Sequence, residues 1–460
     1  MMLPLVGCFS PDGEITPSTD GNDGPGSSSG AAMETVSPGT GSASGMSSAD
    51  ASTSASTTAG PVTGDPTSDT DTTTSPDTFG ETEAPACEGP GDCDAGVCVE
   101  GACVPCTDAD DPDAACAARN ADTPSCGDDG LCVACTPSSC GGNTPACDPT
   151  AGCVACTEHS QCPDSACHLG GPDQGSCFDV NDVVEVSDTS ELVDEMANLT
   201  SGTTLAIHLL PGNYQEMPTV FVPEGAEVAW IGAPDTTLSG GFTNLLAQGS
   251  GSLLYVYQVN FENGPGRALR VGDAWVDRVS VEGFTAALVV DFGETRVRRS
   301  KFRGTSEDGG LVQVFETGSL VATNTDFGPQ GNPALSTSGP IDLRYVTIAG
   351  NEGGLECQAG ASGSIRNSIL VNPGSTNAGG CRSLLDFVDT ATDTTGFGEN
   401  IGPFDAGWFV VSDESRFLLS ASGQSIFEGI ADWDEGDPLF DIEGDPRPTE
   451  ALGYPGVDEP

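Results

Sequence analysis

Basic residues are scarce in this sequence: lysine and arginine together number 14 in 460 residues, against 69 aspartates and glutamates, and Lys301 is the only lysine. A formal net charge of −55 repels nucleic acid and anionic membrane surfaces, so that class of partner is excluded. Apolar residues make up only 37% of the chain and aromatics 6%, too little for a single core running from end to end. No run of 18 apolar residues occurs, so no segment is long and apolar enough to cross a bilayer as a helix. Histidine is rare too, confined to His159, His168 and His208.

What is present is unevenly distributed. Arg119 is the sole basic residue in the first 266 positions. From Cys8 to Ala86 the chain consists of Ser, Thr, Gly, Pro, Asp and Ala with scarcely a large apolar side chain. Such a stretch buries too little surface to offset the entropy of ordering it, and is expected to be a disordered tether with a reach of about 50 Å. Of the 19 cysteines, 16 lie within Cys87 to Cys177. They group in fours: Cys87, Cys93, Cys98 and Cys103; Cys106, Cys116, Cys126 and Cys132; Cys135, Cys140, Cys147 and Cys153; Cys156, Cys162, Cys167 and Cys177. Each group closes on "GACV", "GLCV", "AGCV" or "GSCF", which marks a fourfold repeat. The CxxC pairs fall at the junctions between groups, where they do not make zinc ligand sets, so disulfides formed in an oxidising compartment are expected, with three connectivities open per group.

The first residues, "MMLPLVGC", carry Leu5-Val6-Gly7-Cys8, which resembles the lipobox of bacterial lipoproteins. The resemblance implies lipid attachment at Cys8 and a place at the bacterial outer membrane or cell surface as a lipoprotein, or secretion. The seven residues before Cys8 lack the basic region and apolar stretch of a signal peptide, so residues 1–8 are read as a truncated, lipoprotein-signal-like segment.

Beyond Cys177 apolar residues recur every second position in short bursts. Asp188 and Glu191 form a capping box ahead of a helical face made by Leu192, Val193, Met196 and Leu199. Six bursts, "VYQVNFENG", "DRVSVEGF", "VRRSKFRG", "ATNTDFGP", "LRYVTIAGN" and "IRNSILVN", align with Phe261, Val281, Phe302, Phe327, Ile348 and Leu370 facing inward. A second series, "RALRVG", "AALVVDFG", "GLVQVFETG" and "PALSTSG", keeps a nearly constant offset to it. A repeat of about 22 residues is what a right-handed parallel β-helix requires, whereas a β-sandwich would place hairpin turns every 8 to 12 residues without that register. Cys357 and Cys381, 24 residues apart, are expected to bridge neighbouring coils. The expected class is therefore all-β: a right-handed parallel β-helix with an N-terminal capping helix, preceded by a disulfide-rich region and a disordered tether. The expected divisions are 1–8, a linker at 9–86, a module of four 4-Cys units at 87–178, and the β-helix with a C-terminal cap at 179–460.

Over 180–460 the sequence resembles the pectate-lyase-like β-helix superfamily of bacterial cell-surface type. The resemblance is carried by "SELVDEMANLTSGTTLAIHLLPGNYQE" at the entry and by "SRFLLSASGQSIFEGI", "DPLFDIEGDPRP" and "YPGVDE" near the end. It implies the fold without an activity, because that superfamily includes lyases, hydrolases, esterases and members with no assigned reaction.

Candidate chemistry is sparse. A hydrolase would need clustered carboxylates, and no such set is evident; His208, among Ile207, Leu209 and Leu210, reads as a structural histidine. A lyase would need a base, for which Arg278, Arg299, Lys301 and Arg303 are the candidates, with Arg296 and Arg298 nearby. Strand alternation puts Arg299, Lys301 and Arg303 on one face, opposite Ser300 and Phe302, with Glu282 and Asp326 on neighbouring coils. That face reads either as a solvated surface balancing local acids or as a shallow groove for an acidic glycan. No cofactor is expected. Calcium is the one alternative that "DADDPDAA" and "DVND" raise, and they lack the order of a calcium loop. The functional expectation is a monomeric surface or secreted binding or structural protein directed at carbohydrate or a cell-surface protein, touching membrane only through its lipid. The alternative is a carbohydrate-active enzyme, a polysaccharide lyase or hydrolase acting on an acidic polysaccharide.

Overall fold

Alternating apolar residues fold the region after Val183 into a parallel β-solenoid of about nine turns with about 22 residues per coil. The computed structural model describes residues 86–93, 96–148, 151–240, 244–304, 310–328, 333–350, 353–372, 380–410 and 417–460. Cys8 and the expected linker, apart from Ala86, lie outside them. All the described residues fall in one compact unit, Phe79–Pro460.

Among the described residues the coils stack three sheets, two of ten strands and one of seven. Sheet A runs from Val183–Val186 to Leu385–Val388, sheet B from Gly212–Met217 to Glu399–Asn400, and sheet C from Val220–Val222 to Leu355–Cys357. Each coil visits A, then B, then C, which makes every neighbouring pair in these sheets parallel.

The inward column of sheet B is the one expected. Phe261 pairs with Val281, Val281 with Phe302, Phe302 with Phe327, Phe327 with Ile348 and Ile348 with Leu370. All six are fully buried, and the Phe302 and Phe327 rings stack at 5.7 Å. The alignment extends one coil earlier at each step through Leu238 and Tyr214. Tyr214 can be buried because its hydroxyl donates to the carbonyls of Val186 and Leu210, at 2.8 and 3.0 Å. The stack is closed at its start by the helix Thr189–Asn198, whose Leu192 and Met196 enter the core. Asp188 caps it by accepting from Glu191 N at 3.0 Å, and the Glu191 carboxylate reaches back one residue further than expected, to Ser187 N.

Sheets A and B meet at a tight corner of two residues. The first is held at positive φ in seven consecutive coils: Gln258, Arg278, Arg299, Asn324, Tyr345, Asn367 and Asp389. The second, Val259, Val279, Ser300, Thr325, Val346, Ser368 or Thr390, is buried. Where it carries a hydroxyl, as in Ser300, Thr325, Ser368 and Thr390, that hydroxyl donates to the carbonyl two residues back. Sequence periodicity runs the strands on either side of this corner together, because only two residues separate them.

In the cysteine-rich region every unit pairs its first cysteine with its third and its second with its fourth. The bonds are Cys87–Cys98, Cys93–Cys103, Cys106–Cys126, Cys116–Cys132, Cys135–Cys147, Cys140–Cys153, Cys156–Cys167 and Cys162–Cys177. The third and fourth cysteines of each unit are register partners on antiparallel segments, and both reach across to the leading segment of the unit. With all sixteen sulfurs bonded, none of the clusters retains a thiolate for a metal. A further disulfide joins Cys357 to Cys381.

The fourth unit docks on sheet A. Ala206 and Ala229 present no bulk on the outer face, and Tyr255 and Trp275 continue the same row, so Phe178 and Leu169 pack there as a second apolar cluster. His168 lies flat on Phe178 at 4.0 Å and pairs with Glu227 at 2.6 Å, and Tyr255 donates to the same carboxylate at 2.8 Å. His208 is a bridge in this seam, its Nε2 lying 3.1 Å from the Ser165 carbonyl.

Candidate functional site

A groove of about 1450 Å³ runs over the corner between sheets A and B. Its floor is the run of coils carrying Gln258, Arg278, Arg299 and Asn324; Glu158 of the fourth disulfide unit stands on one side and the segment 436–444 on another. Six of the chain's 14 basic residues line it: Arg278, Arg296, Arg298, Arg299, Lys301 and Arg303. In a protein of net charge −55 that concentration marks a stretch of surface where an anionic group meets several cations.

Their environments separate them. Asp277, 2% exposed, accepts from Arg298 at 3.0 Å and from two nitrogens of Arg299 at 2.9 and 2.6 Å. Arg299 also reaches Glu158 at 3.1 Å. Burial alone would pull the Arg299 guanidinium down, but the hydrogen bonds and charge of Asp277, with Glu158 behind them, raise it above its ordinary value. Arg299 is thereby fixed as a cation and holds the disulfide unit to the solenoid. Arg296 pairs with Glu294 and lies over the Trp275 ring. Arg278 is exposed and donates to the Tyr257 hydroxyl at 3.2 Å.

Arg303 is different. It is 8% exposed, and its Nε and Nη2 are buried with no hydrogen-bond partner among the described residues. A guanidinium removed from water costs several kcal/mol unless an anion or acceptors replace the water, so this residue is poised for a partner that the described residues do not supply. The reading of Arg303 as part of a solvated face is corrected by this burial. Beside it the register of the adjoining strands shifts between Val281 and Phe284, so that Glu282 and Gly283 together oppose Arg303 in a β-bulge, with Gly283 at φ 78°. Arg299 is likewise brought beside Lys301 and Arg303 by the left-handed corner, not by alternation along one strand.

Lys301 pairs in register with Asp326, on the neighbouring coil as expected. Glu282 is joined by a carboxylate that sequence reading passed over, Glu262, its register partner one coil earlier; both are exposed. The signal was available in the alignment of "VNFENG" with "VSVEGF", which puts the two glutamates in the same column. The wall at 436–444 had no such signal, since it reaches the groove from more than a hundred residues away.

Residues 65–183 match the model of a family of unknown function (DUF8331). No curated protein and no solved structure matches the chain. The matched span takes in the disulfide units and stops at the first strand of sheet A, so it says nothing of the groove's floor.

Proposed function

We propose that the protein is an extracytoplasmic binding protein whose solenoid holds a glycan in the groove over Arg278–Arg303. In this reading it is displayed at the bacterial surface by lipid on Cys8, or secreted, with the segment 9–86 as spacer. The observation that carries the reading is Arg303, a nearly buried cation without a partner among the described residues, on the floor of an elongated, polar groove. The disulfides of all four cysteine units, and the one within the solenoid, agree with an oxidising compartment. Catalysis is the second reading. It is weakened by Arg299, the most central candidate base, being held protonated by Asp277 and Glu158.

The test is retention of the whole chain on a panel of immobilised neutral, amino and acidic polysaccharides, with soluble products followed in parallel. Retention without new reducing ends or unsaturated products is the expected result. Product release would favour the lyase or hydrolase, and absence of retention across the panel would remove the glycan reading altogether.

A further inference from the structure

The groove is closed at one end, and its charges are ordered along its length. The closing wall is the segment 436–444. Its Phe440 carbonyl accepts from Asn324 Nδ2 at 2.6 Å. Arg447, stacked over Tyr345 at 4.0 Å, donates to Asn324 Oδ1 at 3.1 Å and to the Gly456 carbonyl at 2.9 Å. Arg366 ties Asp434 and Asp437 to the next coils. The wall therefore covers the corner from Asn324 onward and leaves the coils of Gln258, Arg278 and Arg299 open. Because Lys301 pairs with Asp326, the strand Lys301–Gly304 belongs to the last open coil, and Arg303 sits beside the wall. Leu439 and Phe440, 52% and 54% exposed, give that end an apolar surface.

Away from the wall, the next two coils place Glu282 and then Glu262 in the groove. The acids of the wall do not offset Arg303: Asp437 is paired with Arg366, Asp441 accepts from four backbone amides, and Glu443 stands at the rim where solvent screens it. Among the described residues, one nearly buried cation without an ion pair stands beside the wall and is thus succeeded by two like-charged residues on strands about 4.8 Å apart. A chain bearing an acid on every unit would be repelled by both glutamates, and a chain passing through would meet the wall.

Resting on the glycan-binding reading, we infer that the groove selects the end of a glycan: a single terminal acidic sugar neutralises Arg303, and the neutral or amino sugars behind it present hydroxyl or ammonium groups to Glu282 and Glu262. The apolar pair Leu439 and Phe440 faces the terminal ring.

Calorimetric titration of the full chain at low salt distinguishes this from polyanion binding. Three probes of equal length are compared: a neutral glucan oligosaccharide ending in glucuronic acid, the same compound with that carboxyl reduced to the alcohol, and an oligouronate. The acid-ended oligosaccharide is expected to bind at least about tenfold more tightly than either of the others, the usual scale for a charge-assisted contact. In Arg303→Met that preference should vanish while the melting temperature rises, because a buried charge without a partner among the described residues gives way to an apolar side chain of similar reach. An oligouronate that binds as tightly as the acid-ended compound, an unchanged preference in Arg303→Met, or no binding of any probe would overturn the inference. The polysaccharide panel decides separately whether the wider glycan reading stands.

Discussion

Phe302 and Arg303 adjoin in one strand and are both buried, for different reasons. Truncating Phe302 removes a fully buried ring stacked on Phe327, so Phe302→Ala should cost about 3 to 5 kcal/mol in denaturant unfolding, the usual range for a core phenylalanine. Lys301→Ala, on the outward side, should stay within about 0.5 kcal/mol. Equal losses at the two positions would mean a register shifted by one residue. The inward column was legible because buried strand residues must be apolar at a fixed spacing. The burial of Arg303 was not, since a charged residue at an outward strand position carries no such pattern. His159 offers a test by pH. Burial lowers its pKa from 6.5 to about 3, opposed by Asp277 and assisted by Arg298, His168 and His208. Its Nδ1 accepts from Cys167 N at 3.1 Å, which requires the neutral ring. The unfolded chain therefore binds the extra proton first, so stability is present above about pH 6.5 and is lost as pH falls toward 3. Melting temperatures across that window should fall less steeply in His159→Gln; identical slopes would contradict the assignment. Asp458 works in the opposite sense. Burial pushes it up to about 6, although Leu419 N donates to it, so its contribution declines as pH rises from about 4 to 6.

At the scale of elements, the corner between sheets A and B explains both what the sequence disclosed and what it hid. Asparagine, which adopts the left-handed backbone readily, stands at Asn324 and Asn367. Arginine at 278 and 299 and tyrosine at 345 adopt the same backbone against their preference, which is why the break between two strands went unseen in "VRRSKFRG". Arg299 is compensated by its ion pairs, whereas Arg278 has only the Tyr257 hydroxyl and ring among the described residues. Arg278→Asn should therefore leave stability unchanged or raise it by up to about 1 kcal/mol, while weakening any anionic ligand; a clear loss of stability would show that the Tyr257 contact outweighs the strain. The disulfide units behave differently. Their spacing disclosed the repeat but left three pairings per unit, because cysteine positions alone do not say which segments lie side by side. Peptide mapping under non-reducing conditions should return first-to-third and second-to-fourth bonds in every unit and no free thiol from Cys87 to Cys177.

For the molecule as a whole, one face of a long stack is built into a site by segments distant in sequence: Glu158 from the disulfide region, the corner coils, and 436–444 from the end of the chain. The sequence announced the stack through its 22-residue period and the basic cluster through its rarity in so acidic a chain. It did not announce the walls, because neither is part of the repeat. If Cys8 carries lipid, Cys8→Ser should move the protein from the membrane fraction to the soluble one, and unchanged fractionation would defeat the anchor. That the groove over Arg278–Arg303 holds the ligand is tested most plainly by amide hydrogen exchange of the full chain, with and without the polysaccharide it retains most strongly. Added protection confined to peptides covering 278–304 and 436–444 is the predicted result; protection centred on sheet C or on the disulfide units before Cys156, with the groove unchanged, would contradict it.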